Sequence, residues 1–66
     1  MNRAMEIIEI LREESGMKKS DIAPTDGERS RYYKNMEADD IKVGVFAKYL
    51  RAMGYKIVIV REGTEY

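Results

Sequence analysis

The chain has no cysteine, no histidine and no tryptophan, only one proline and one phenylalanine, and no excess charge of either sign. Without cysteine there is no disulfide framework. Without cysteine and histidine together, a zinc site of the usual donor set and imidazole-based acid–base catalysis are both excluded. No apolar run approaches the ~20 residues of a membrane helix. The opening MNRAMEIIEI is too short and too acidic for a secretory leader. These absences lead us to expect a cytoplasmic protein with no cofactor and no membrane contact. An enzyme is not expected, because Asp39-Asp40 is the one carboxylate pair that stands out and no catalytic companion or glycine-rich phosphate loop accompanies it. It reads as a loop or a helix cap.

Sixty-six residues make one domain. A chain of this size buries roughly 60% of its unfolded surface, so its stability margin is thin unless copies associate. Twelve basic residues cancel twelve acidic ones, which argues against a uniformly basic nucleic-acid binder. The charges are nonetheless polarised. The first segment carries Glu6, Glu9, Glu13 and Glu14 against Arg3 and Arg12. Between Met17 and Asn35 stand Lys18, Lys19, Arg29, Arg31 and Lys34 against Asp21, Asp26 and Glu28.

Ala4, Ile7, Ile8 and Leu11 recur at helical spacing, opposite Glu6, Glu9 and Glu13, and predict an amphipathic helix over about 2–14 with a solvated acidic face. Asn2 can cap its start and Gly16 its end. Met17 should enter the core. A second helix is expected over about 19–23, shortened by Pro24. Thr25-Asp26-Gly27 reads as a turn, with Gly27 able to take positive φ. A third helix should run over about 29–36 with Tyr33 and Met36 inward. Ile41 and Val43 should tuck under an acidic connection. A fourth helix over about 44–53 carries Phe46, Tyr49, Leu50 and Met53 on its apolar stripe, and Gly54 caps it.

The tail differs. YKIVIVR, about 55–61, is β-branched and almost continuously apolar, which reads as a strand. A lone strand leaves its backbone donors and acceptors unpaired. A second copy of the chain can supply the missing neighbour, so Tyr55, Ile57, Val58, Ile59 and Val60 are expected to form a dimerisation strand. The alternative is a strand that lies against the helices, or pairs with a loop, in a monomer.

In joint register these segments resemble the Cro/repressor-type, or XRE-type, helix-turn-helix proteins of bacteria, phages and mobile elements. DDIKVGVFAKYLRAMGYKIVIV is similar to their final helix and short apolar strand. Ser20-Asp21-Ile22-Ala23 matches a Ser-Glu-Leu-Ala pattern, Gly27 falls at the turn glycine, and Tyr33, Met36 and Glu37 fall in the recognition helix. The resemblance spans about 4–60. It departs at Pro24, Asp26 and Glu28, and at Lys19 where a glutamine is usual. It implies a mostly α, four-helix, lambda-repressor-like helix-turn-helix domain with a short C-terminal strand pairing in a homodimer.

The activity implied is sequence-specific binding of double-stranded DNA by a repressor or antitoxin, with the third helix in the major groove. Ser30, Arg31, Tyr32 and Asn35 are the expected base contacts, since arginine pairs with guanine and asparagine with adenine. Lys18, Lys19, Arg29 and Lys34 are the expected phosphate contacts. A toxin or other protein partner is compatible with the same scaffold. The competing reading is a protein-interaction module, such as a small phage or mobile-element inhibitor. It would have lost DNA binding and would work through the Tyr32-Tyr33 surface; zero net charge, Pro24, Glu28 and the acidic 37–40 loop point that way.

Overall fold

A computed structural model of the chain describes residues 1–58 and Gly63. Among these residues there are four helices and no strand: α1 Arg3–Glu14, α2 Lys19–Ile22, α3 Asp26–Glu37 and α4 Val43–Ala52. Each boundary has a local cause. The Asn2 Oδ1 accepts the Met5 N–H at 2.8 Å, which satisfies one of the orphan donors at the start of α1. α1 and α4 end alike, on Gly16 (φ 70°) and Gly54 (φ 85°). Past those glycines the Met17 N–H returns to the Arg12 carbonyl at 3.0 Å and the Tyr55 N–H to the Leu50 carbonyl at 2.9 Å. Both are Schellman closures. α2 is a single turn. The Asp21 carboxylate accepts the Lys18 N–H at 2.8 Å, and Ala23, at φ −127° and ψ 83°, has left helical geometry as a residue before proline tends to.

The centre of the chain departs from the sequence reading. α3 begins at Asp26, not near residue 29, because the Thr25 hydroxyl caps it by accepting the Glu28 N–H at 3.1 Å. Gly27 therefore lies in the first turn of a helix and does not have positive φ. Val43 opens α4 and is 73% exposed, where it was expected to tuck inward; Ile41 does pack against the core. Asp39-Asp40 forms a loop, in which the Asp40 carboxylate accepts the Ile41 N–H at 2.8 Å. Residues 55–58 are neither helix nor strand in the single chain, and Ile59 and Val60 lie outside the described residues.

Met5 and Ile8 of α1, Ile22 and Ala23, Tyr32 of α3, and Tyr49 and Leu50 of α4 are buried together. Leu11, Met36, Ile41, Val45, Phe46 and Met53 pack around them. The α4 stripe is the expected one. α1 is rotated: Met5, absent from the predicted stripe, is fully buried while Ala4 and Ile7 are only partly so. α3 is rotated as well, with Tyr32 at 0% exposure and Tyr33 at 51%.

A polar chain accounts for the rotation of α3. The Tyr32 hydroxyl donates to Glu9 Oε1 at 2.8 Å. Glu9 Oε2 accepts from Arg12 Nη2 at 2.6 Å, and Arg12 Nη1 donates to the Met17 carbonyl at 2.7 Å. The Tyr32 ring also meets Tyr49, with centroids 5.0 Å apart and planes tilted by 58°, a favoured aromatic geometry. Glu9 thus leaves the solvated face assigned to it: its side chain and that of Arg12 are only 13% and 12% exposed. Burial pushes the Glu9 carboxyl up, but hydrogen bonds from Arg12 and Tyr32 and the Arg12 charge outweigh it and hold the group below its ordinary value. Burial and the bond to Glu9 push the Tyr32 phenol well above its own.

A carboxyl with a lowered folded pKa contributes stability above the unfolded carboxylate range. That contribution is lost as pH falls through the folded value. Urea unfolding at neutral pH should show Tyr32→Phe destabilised by about 2 kcal/mol, the loss of a hydrogen bond to a charged group. Across the acid range Glu9→Gln should lose less stability than the parent chain does. The helical placement of Gly27 is equally testable. With open space around its Cβ position, Gly27→Ala should stabilise by about 0.5 kcal/mol, while Gly16→Ala, at positive φ, should destabilise by about 1 kcal/mol.

Candidate nucleic-acid interface

α3 is held from the inside at its middle and at its end, and that sets what it shows outward. At mid-helix Tyr32 is anchored as above. Near its end the Asn2 amide nitrogen, in a buried side chain, donates to the carbonyls of Asn35 at 2.8 Å and Ala38 at 3.0 Å. One side chain therefore caps the start of α1 and closes the last turn of α3. The Asn35 amide nitrogen donates to the Tyr49 hydroxyl at 2.8 Å.

These contacts revise the expected site. Tyr32, an expected base contact, is fully buried and cannot reach a base. Asn35, expected to read adenine, is half-buried and uses its amide nitrogen internally. Arg29, expected at phosphate, donates through Nη1 to the carbonyls of Ala23 (3.1 Å) and Pro24 (3.0 Å) and pairs with Asp26. It braces the α2–α3 connection by satisfying the carbonyls of the α2 C-cap, Ala23, and of Pro24 that follows it.

The remaining candidates do gather. Ser30 and Lys34 are exposed and stand one turn apart, on the side of α3 opposite Tyr32 at about 100° per residue. Exposed Arg31 flanks them on one side and Tyr33 on the other. Lys18 is exposed just before α2. Lys19 is half-buried, with its ammonium 5.7 Å from the centre of the Tyr33 ring. Among the described residues, Lys18, Lys19, Arg31 and Lys34 form no ion pair, whereas Arg3, Arg12 and Arg29 each do. Asp21, Asp26 and Glu37 are exposed on the same two helices, so the patch is mixed and not uniformly basic.

Sequence reasoning missed four participants: the second role of Asn2, the Glu9–Arg12 pair, Met5, and the exposure of Tyr33. Two signals were available. Thr25-x-x-Glu28 is the sequence form of a helix start, and Glu9 and Arg12 stand three apart on one helix face.

Among the described residues no group of three or more Asp, Glu, His or Cys side chains is placed to hold a metal ion, and there is no ligand-sized pocket. No helix is long and apolar enough to cross a membrane. Comparison with family models, curated proteins and solved structures finds no match.

The two kinds of cation on α3 should separate by mutation. In thermal or urea unfolding, Arg29→Met should cost about 1–2 kcal/mol, because it strips two carbonyls and a carboxylate of their donor. Lys34→Met, on the open face, should stay within about 0.5 kcal/mol of the parent.

Proposed function

We propose that this chain is a sequence-specific DNA-binding regulator of the repressor or antitoxin type, acting in the cytoplasm as a homodimer. In this reading α2 and α3 are the helix-turn-helix of a lambda-repressor-like domain, and α3 enters the major groove. The observation that carries it is the outward face of α3. Ser30, Arg31 and Lys34 project from a helix whose opposite side is locked into the core, with Lys18 and Lys19 at the start of α2. A recognition helix needs that combination of a fixed underside and long free donors.

Arg31 is the proposed guanine contact, with Ser30 beside it in the second turn of α3; Lys18, Lys19 and Lys34 are the proposed phosphate contacts. The dimer would pair the C-terminal segments as strands. In the single chain Tyr55, Ile57 and Val58 leave apolar surface open to solvent, and pairing would cover it while satisfying the backbone. The half-sites would then lie about one DNA turn apart.

One observation favours the second reading, a protein-interaction module on the same scaffold. The Asp26 carboxylate is fully exposed at the start of α3, where it would face phosphate. The discriminating experiment is fluorescence anisotropy with mixed-sequence duplex DNA at a series of salt concentrations. Three phosphate-neutralising cations, Lys18, Lys19 and Lys34, predict a slope of log affinity against log salt of about −2.7 per protomer, and about twice that for a dimer. Lys34→Ala should weaken binding and flatten the slope, while Arg31→Ala should weaken binding to a guanine-containing site and leave the slope nearly unchanged. A folded protein that binds no duplex at low salt would sink the regulator reading, and a search for a protein partner would follow.

A further inference from the structure

The ring of Tyr33 is half open to solvent, although the neighbouring tyrosine is wholly inside. It stands about 100° round α3 from Tyr32, between the core and the Ser30–Lys34 crest. It is not loose on that flank. Lys19, from α2, lays its ammonium over the ring at 5.7 Å from the centroid, within cation–π range. Lys19 is itself half-buried, with its head against the aromatic face. The pair bridges the two helices across the side on which a groove-bound α3 and a backbone-spanning α2 would meet DNA.

We propose that Tyr33, steadied by Lys19, reads thymine in the DNA site, its ring edge packing on the thymine 5-methyl group in the major groove. This deepens the DNA-binding reading and rests on it. The chemistry follows from the parts. A flat apolar ring beside the crest of a major-groove helix has one distinctive apolar feature to meet there, the thymine methyl. The Tyr33 hydroxyl, at the rim of the same ring, is left for a phosphate or for water. The Lys19 ammonium has three donors; lying over the ring leaves donors free for the neighbouring phosphate. One lysine therefore sets the ring's orientation and neutralises the backbone next to it.

The test is a cycle between protein and base. A preferred duplex is first selected from a randomised pool with the whole chain. Each thymine in it is then replaced by deoxyuridine, which removes the methyl group and nothing else. At one thymine per half-site the parent protein should lose about fourfold in affinity, the scale of one buried methyl group. Tyr33→Ala, checked for folding by its thermal transition, should bind the thymine duplex more weakly by at least that factor and show no thymine–uracil difference. Tyr33→Phe should keep the difference.

Three results overturn the proposal, and they are distinguishable. No binding to any duplex by folded protein removes it together with the regulator reading. Binding without enrichment of any sequence removes it and leaves DNA binding standing. An enriched site at which Tyr33→Ala still discriminates thymine from uracil as the parent does removes the assignment to Tyr33 alone.

Discussion

The Glu9 carboxylate, shared between the Tyr32 hydroxyl and the Arg12 guanidinium, is the contact on which the arrangement of this domain depends. It joins α1 to α3 at one point and, through the bond from Arg12 to the Met17 carbonyl, fixes the exit of α1 as well. A buried carboxylate is costly unless its oxygens are satisfied. Here both oxygens accept from donors on the chain, and no buried side-chain polar atom among the described residues is left without a partner. A core this small cannot specify helix orientation by apolar area alone. A satisfied polar contact adds direction, because turning α3 must keep both the Tyr32 phenol on Glu9 and the Asn35 amide on the Tyr49 hydroxyl.

The same logic explains the second polar tie. Asn2 answers two separate deficits with one amide: the open donors at the start of α1 and the open carbonyls at the end of α3. Helix ends without such partners are destabilising. The domain thus brings the start of one helix against the end of another and lets a single side chain serve both. Arg29 performs the corresponding service at the connection, for the carbonyls of Ala23 and Pro24. None of the three polar ties is a surface ion pair of the kind that contributes little; each has at least one half-buried or buried participant.

Much of the fold was legible in the chain. Gly16 and Gly54 marked helix ends because left-handed closure needs a residue without a Cβ, and the α4 stripe was legible because Tyr49, Leu50 and Phe46 leave no competing face. What was not legible had specific causes. Tyr32 and Tyr33 are equally apolar neighbours, and either makes helical spacing with Met36, so periodicity could not choose between them. The inward one meets Glu9, twenty-three positions away, in the same rotation that brings Asn35 to Tyr49, and no local pattern encodes those long-range partners. Gly27 suggests a turn because glycine favours turns, but Thr25 three residues before Glu28 is the stronger local signal and caps α3. Of the candidate site, Ser30, Arg31, Lys18 and Lys34 stand exposed, while Tyr32, Asn35 and Arg29 turned out to hold the scaffold. These losses share one origin, since reading α3 by one residue's rotation misassigns its whole outward face.

That dependence has a consequence for what this surface can do. Rotating α3 by one residue exchanges a buried tyrosine for an exposed one, and shifts which of Ser30, Arg31 and Lys34 stands at the crest. The residues that would meet a partner are therefore selected by contacts on the opposite side of the helix. A chain of zero net charge can still present a cationic edge under this arrangement. Arg3, Arg12 and Arg29 neutralise acids within their own helices, and the lysines beside α2 and on α3 stay outside such pairs among the described residues. Net charge is a sum over a surface, whereas a phosphate backbone meets only the edge turned towards it. The balance of acids and bases in this chain consequently says less about partners than the register of α3 does, and that register is held on the core side by Glu9, Asn2 and Tyr49 together.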